Sequence, residues 1–111
     1  SLSETYNSLF ANSKALLLVG ISSDKDLKGI LKEFSKISKK IVLTTLPPRC
    51  ANINTLEDIA KKYFEEIYSF EDPLEAYDFS MSNLYKDEIL LLTGSIYVAG
   101  YILKGKGLFD S

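Results

Sequence analysis

The chain has 111 residues, a net charge of −2, 46% hydrophobic residues and 25% charged residues. These values are typical of one soluble globular domain, and they exclude a broad basic surface for nucleic acid or for an acidic membrane. The sequence has no histidine and one cysteine, Cys50, which excludes an internal disulfide, a Ser/His triad and the common histidine-based zinc sites. With no signal-peptide pattern and no apolar run long enough to span a bilayer, the sequence predicts a cytoplasmic protein.

Helical and extended patterns alternate along the chain. Apolar spacing predicts helices at 2–11 and 25–37. A third helix, capped by Asn54 or Thr55 with Asn54 preferred, ends near residue 64. A fourth is capped by Asp72, and a fifth follows residue 95. The inner face of the fourth helix is predicted to carry Leu74, Tyr77, Met81 and Leu84. Strands are predicted at 14–20, 41–45, 67–70 and 89–93. This order predicts an α/β fold with three αβα layers, in which a mostly parallel, Rossmann-like sheet lies between helices.

The last predicted strand leads directly into a turn and a helix. Residues 89–92 are all apolar, which favours a strand covered on both faces. Gly94 suits a tight turn, and Ser95 is a natural N-cap for the helix that follows. A helix N-terminus at the carboxyl end of a strand offers free N–H groups to an anion. Ser95 is therefore either a carboxylate or phosphate ligand or only a cap.

Two other loops follow strands and should reach the same edge of the sheet. Lys25 lies near a helix start, where the helix dipole disfavours a cation, so it either holds an anionic ligand or is simply solvated. Asp24 and Asp26 suit that helix start for ordinary dipole reasons. Arg49 follows two prolines in a rigid loop, where a guanidinium suits a carboxylate, a phosphate or an ion pair to a neighbouring domain.

No residue in the sequence stands out as catalytic. Cys50 reads more simply as a small buried residue than as a nucleophile, because no histidine is present to activate it. The sequence also has no glycine-rich phosphate-binding loop of either common pattern. The residues alone therefore predict an anion-binding α/β domain without a complete active site and without a metal site.

Several segments together resemble a known family. The chain is similar, in order and spacing, to the C-terminal domain of folylpolyglutamate synthase, a Mur ligase superfamily enzyme that is often bifunctional with dihydrofolate synthase. The segments that carry the resemblance are Val19-Gly20-Ile21, Asp24-Lys25-Asp26, Pro48-Arg49-Cys50-Ala51, Asp72-Pro73-x-Glu75-Ala76 and Thr93-Gly94-Ser95-Ile96-Tyr97.

The resemblance implies a role in an ATP-dependent ligase. The family uses ATP and Mg²⁺ to form an acyl phosphate on a folate, which the amine of L-glutamate then attacks. The phosphate-binding loop and metal ligands lie in the N-terminal ATPase domain, and the C-terminal domain closes over the cleft. The resemblance implies that Lys25 and Ser95 contact the glutamate carboxylates, that Tyr97 lies near them, and that the cleft is also lined by Asp24, Asp26, Arg49 and Gly94.

The chain departs from the family pattern at its start. The family's domain opens with a strand and an Asp-Gly-Ala-His-Asn motif, whereas residues 1–10 match the helix that follows that motif. We therefore expect residues 1–111 to be a single domain that lacks its first strand, a fragment of the ligase. The resemblance then implies no catalytic residue in this chain, and no bound cofactor when the chain is isolated.

Two other interpretations remain open from the sequence. The chain could be the same domain of a Mur ligase that acts on a cell-wall peptide, although Thr93-Gly94-Ser95-Ile96-Tyr97 argues against this. It could also be a free-standing, flavodoxin-like binding module without catalysis. The three interpretations share the fold and differ in the protein to which the domain belongs.

Overall fold

The computed structural model of the chain describes residues 14–107, so the helix predicted at 2–11 lies outside the described residues. Within this range strands and helices alternate as predicted. In chain order the elements are β1 (Lys14–Val19), α1 (Leu27–Phe34), β2 (Lys40–Thr44), α2 (Ile53–Ala60), β3 (Glu66–Phe70), α3 (Pro73–Ser82), β4 (Glu88–Thr93) and α4 (Ile96–Gly105).

The four described strands form one sheet in the order β3-β2-β1-β4, and every neighbouring pair is parallel. Alternate residues of β1 point to opposite faces of the sheet. Leu17 packs in a core with Leu31 of α1 and Leu56 of α2, whereas Leu18 packs in a second core with Ile102 of α4. The helices therefore cover both faces, and the predicted three-layer α/β fold is confirmed.

The last strand is less deeply buried than the central strands. All six residues of β4 are half-buried, whereas β1 and β2 are almost fully buried at their centres. The reason is position, because β4 is the end strand of the described sheet and has only β1 as a neighbour. Both faces of the strand are nevertheless covered, as predicted, because Leu91 packs against the first core and Leu90 and Leu92 pack against the second.

Two details of the helices, one N-cap and one buried face, differ from the sequence predictions. The N-cap of α2 is Asn52, not Asn54, because the Asn52 side chain accepts a hydrogen bond from the Asn54 N–H at 2.8 Å. Met81 is 46% exposed rather than on the inner face of α3. The smaller Ala76 and Ser80, one helical turn apart, are fully buried there instead. The predicted caps Asp72 and Ser95 are confirmed.

A close approach between two backbones positions α4. Gly94 has φ of +97°, and a Cβ built there would lie 2.5 Å from the carbonyl oxygen of Gly20. A Cβ on Gly20 would in turn lie 2.6 Å from Cγ2 of Val98. The β4–α4 turn therefore reaches the end of β1 only because both positions lack a side chain.

We expect Gly94→Ala to lower the free energy of unfolding by at least about 1–2 kcal/mol, because alanine resists positive φ and its methyl group would clash with Gly20. Gly100→Ala is the matched control. A Cβ at Gly100 meets nothing within 4 Å, so this change should raise stability by about 0.5–1 kcal/mol through helix propensity. Urea unfolding followed by circular dichroism measures both, and equal effects would contradict the close approach.

Two neighbouring buried threonines at the end of β2 test how hydrogen bonding of a buried hydroxyl affects stability. Thr44 is fully buried, and its hydroxyl has no hydrogen-bond partner among the described residues. The hydroxyl of buried Thr45 donates to the Ala51 carbonyl at 2.9 Å. We expect Thr44→Val to raise the free energy of unfolding by about 1 kcal/mol and Thr45→Val to lower it by a similar amount. A loss of stability in Thr44→Val would show that its hydroxyl is satisfied.

Candidate functional site

Three connections meet at the carboxyl edge of the sheet because β1, β2 and β4 are parallel. They are the β1–α1 loop (residues 20–26), the β2–α2 loop (residues 45–52) and the β4–α4 turn (residues 94–95). Each carries at least one residue that the sequence singles out: Lys25, Arg49 and Ser95. Their placement at one edge agrees with the sequence analysis.

Backbone hydrogen bonds join the first two loops. The N–H of Ser23 donates to the Arg49 carbonyl at 3.0 Å, and the N–H of Ala51 donates to the Ile21 carbonyl at 2.8 Å. Between these bonds, Ser22 and Cys50 form an isolated antiparallel bridge. The two loops therefore form a short ribbon beyond the ends of the strands, which fixes the backbone of Arg49 relative to that of the β1–α1 loop.

The β4–α4 turn completes the site through an aromatic contact. Tyr97, in the first turn of α4, lies beneath the Arg49 guanidinium, whose carbon is 4.3 Å from the centre of the ring. This distance is well within the range of a cation–π interaction. Sequence reasoning placed both residues near the site but did not identify their contact, because nothing in the local pattern of either segment encodes it.

These residues line an open cleft of about 510 Å³. The cleft brings together four of the predicted residues: Asp24, Lys25, Arg49 and Tyr97. Sequence reasoning missed two polar residues that also line it, Ser22 and Ser23. Their position in the sequence could have identified them, because they directly follow Gly20-Ile21, where a strand ends at the ligand-binding edge of a parallel sheet.

Asp26 and Gly94 lie elsewhere. They line a different cavity, beside α1 and the end of β4. Asp26 is the N-cap of α1, where its carboxylate accepts a hydrogen bond from the Gly29 N–H at 3.1 Å. The dipole interpretation of Asp26 is therefore confirmed. Lys25 precedes this cap and so lies outside the helix, which weakens the prediction that the dipole acts on it directly.

Ser95 is held inside the turn. Its residue is 7% exposed, and its Oγ accepts hydrogen bonds from the N–H groups of Tyr97 at 3.2 Å and Val98 at 3.5 Å. The buried Cys50 thiol donates to the same oxygen at 3.7 Å. The cap interpretation of Ser95 is thus confirmed, and the side chain connects the β2–α2 loop to the start of α4.

The charges of the cleft are not neutralised locally. Among residues 14–107, neither Lys25 nor Arg49 forms an ion pair, and both side chains are exposed. Asp24 contributes one negative charge against these two positive charges. The cleft therefore carries a net positive charge together with hydroxyl groups, a combination that suits an anion.

The opposite edge of the sheet has a different electrostatic character. Lys40 forms a largely buried ion pair with Glu88 at 3.3 Å and lies 4.6 Å from the centre of the Tyr85 ring. The hydroxyl of Tyr68 donates to Glu66 at 3.1 Å, and this bond to a carboxylate raises the pKa of Tyr68. Lys40, Glu66 and Glu88 therefore already have partners at this edge, which favours the carboxyl edge as the candidate for a ligand.

The described residues offer neither a metal site nor a membrane span. No group of three or more acidic, cysteine or histidine side chains converges within residues 14–107. None of the helices in this part of the chain has the length and hydropathy that crossing a bilayer requires.

Comparison with known proteins finds relatives by structure only, since no protein-family model and no curated protein matches the chain. A folylpolyglutamate synthase from Thermotoga maritima matches 94% of this chain at 31% identity, with a TM-score of 0.76. The Mycobacterium tuberculosis enzyme complexed with ADP matches 99% of the chain at 22% identity, with a TM-score of 0.81. A bifunctional folylpolyglutamate synthase/dihydrofolate synthase with Mn, AMPPNP and L-glutamate bound matches 95% at 19% identity, with a TM-score of 0.71.

In each case the match uses only part of the solved protein. The chain spans 24%, 27% and 26% of the lengths of these three structures. Its resemblance to the folylpolyglutamate synthases, predicted from its motifs, is therefore confirmed: the chain corresponds, along nearly its whole length, to about a quarter of such an enzyme, consistent with the C-terminal domain.

Proposed function

We propose that this chain is the glutamate-binding part of an ATP-dependent folylpolyglutamate synthase. The observation that carries the proposal is the cleft at the carboxyl edge, where Lys25 and Arg49 present two cations without ion-pair partners in the described structure. L-glutamate carries two carboxylates, and charge-assisted hydrogen bonds to cations are the strongest that proteins offer to such groups.

The chain's contribution to the reaction is binding and orientation. Lys25 holds one glutamate carboxylate, while Ser95 fixes the start of α4 and so the place of Tyr97 at the cleft. Holding the amino acid in this way presents its amine to the acyl phosphate that the family forms on the folate. Positioning of this kind lowers the barrier because it removes the entropy loss of bringing two reactants together.

The nucleotide and Mg²⁺ that the family uses do not fit the residues described here. The sequence lacks a phosphate-binding loop, and the acidic side chains within residues 14–107 do not converge. We assign both groups to the N-terminal ATPase domain of the same protein. Closure of this chain over that domain would bring glutamate to the reacting carbon and exclude water.

We expect Lys25→Ala and Ser95→Ala, made in the complete protein that carries this chain, to raise the KM for glutamate more than the KM for ATP. The loss of the lysine removes a charge-assisted contact of about 1.5–3 kcal/mol, roughly a ten- to hundredfold effect. The loss of the serine removes the N-cap that holds the first turn of α4, and with it Tyr97, in place. Lys28→Ala, which removes an exposed lysine outside the cleft, is the control. Unchanged glutamate kinetics in both variants would refute this site.

We also expect the isolated 111-residue chain to have no ligase activity and to bind ATP weakly or not at all, because its sequence has no phosphate-binding loop and residues 14–107 hold no converging set of metal ligands. Calorimetric titration with ATP and Mg²⁺ measures binding, and a phosphate-release assay with folate and glutamate measures turnover. Micromolar ATP binding, or turnover above background, would contradict the assignment of the nucleotide to another domain.

A further inference from the structure

We infer that Tyr97 is a positioning residue, whose ring holds the Arg49 guanidinium over the cleft so that Arg49 binds the second carboxylate of the amino acid. The inference rests on the proposed function, because it assigns the second cation of the same cleft. It predicts that Tyr97 sets a preference for a dicarboxylic over a monocarboxylic amino acid without being a primary ligand itself.

The contact between the two side chains has the geometry that this role needs. The guanidinium carbon of Arg49 lies 4.3 Å from the centre of the Tyr97 ring. Tyr97 is 43% exposed, so its ring forms part of the wall of the cleft rather than of the core. Contact with a ring face uses no N–H group, and the donors of the guanidinium remain available for a carboxylate.

The backbone of Arg49 is anchored, so the ring is needed only for the side chain. The Arg49 N–H donates to the Leu46 carbonyl at 3.2 Å, and its carbonyl accepts from Ser23. The long side chain beyond this point would otherwise sample many rotamers. Restricting those rotamers before a ligand arrives lowers the entropy that binding has to overcome.

The charge of the cleft explains why a second cation matters. Asp24 opposes Lys25 in the same cleft, so these two residues together contribute no net charge. Arg49 adds one positive charge and so makes the cleft attractive to an anion. Without a held guanidinium, the site would have one cation for two carboxylates, and it would distinguish glutamate poorly from glutamine, which differs only in having an amide in place of the side-chain carboxylate.

The experiment uses the complete protein and two probes, L-glutamate as substrate and L-glutamine as competitor. The variants are Tyr97→Phe, Tyr97→Leu, Arg49→Gln, the double variant Tyr97→Leu/Arg49→Gln and, as control, Tyr101→Leu. Tyr101 is a second tyrosine on α4, 44% exposed; it lines a neighbouring cavity with Arg49 and Tyr97 but does not line this cleft. For each variant the measurements are kcat, the KM for glutamate and for ATP, and the inhibition constant of glutamine.

Tyr97→Leu should raise the KM for glutamate about two- to fivefold, as expected for the loss of one cation–π contact. Arg49→Gln should raise it about tenfold or more, since it removes the charged donor. The double variant should have the same KM for glutamate as Arg49→Gln, because no guanidinium is then present for the ring to contact. Tyr97→Phe and Tyr101→Leu should resemble the wild type, and the constants for glutamine and ATP should stay within twofold throughout.

Other outcomes separate this inference from the proposed function. If Tyr97→Leu also weakens glutamate binding when Arg49 is already glutamine, Tyr97 contacts the substrate directly and the positioning role is wrong. If Arg49→Gln and Lys25→Ala act but Tyr97→Leu does not, the proposed function stands and this inference fails. If Lys25→Ala, Arg49→Gln and Tyr97→Leu all leave the KM for glutamate unchanged, the proposed function itself is wrong. Should Tyr97→Leu not fold, Tyr97→Met replaces it.

Discussion

The site depends on the close approach of the β4–α4 turn to the end of β1. Gly94 adopts a conformation that other residues resist, and Gly20 leaves room for Val98. Together they let α4 begin directly above the carboxyl edge of the sheet. From that position the helix brings Tyr97 to Arg49 and the Ser95 hydroxyl to Cys50. A side chain at either glycine would move the helix outward and separate the three loops.

The cleft illustrates how a parallel sheet assembles a polar site from weakly informative segments. The β1–α1 loop contributes a lysine, the β2–α2 loop an arginine and the first turn of α4 an aromatic ring, and none of these segments is a binding motif alone. The sheet brings these segments together, because its parallel strands place all three connections at one edge. Backbone bonds between the first two loops then fix the spacing of the two loop backbones, while at the opposite edge Lys40 and Glu88 pair with each other.

Sequence patterns predicted the local features that depend on a residue and its nearest neighbours. They identified the described strands, the positive φ at Gly94, and the caps Asp72 and Ser95, because each follows from backbone chemistry within a few residues. They failed where a distant neighbour decides. The inner face of α3, for example, depends on how closely that helix packs on the sheet.

The same distinction applies to the candidate site. The placement of Lys25 and Arg49 at the carboxyl edge of the sheet could be predicted, because it requires only that each residue follows a parallel strand. The contact of Arg49 with Tyr97 joins segments 48 residues apart in the sequence, and it depends on where α4 begins in space. For the same reason Asp26 and Gly94, although close in sequence to site residues, belong to another cavity.

The ribbon between the first two loops also bears on motion. Because the β1–α1 and β2–α2 loops are bonded to each other beyond the strand ends, the backbones of Lys25 and Arg49 belong to one mechanical unit with the sheet. Any hinge that moves this chain against the rest of a larger protein would carry both loop backbones as a rigid body. The spacing of the two backbones would then stay constant during closure, and only their distance from the opposing domain would change.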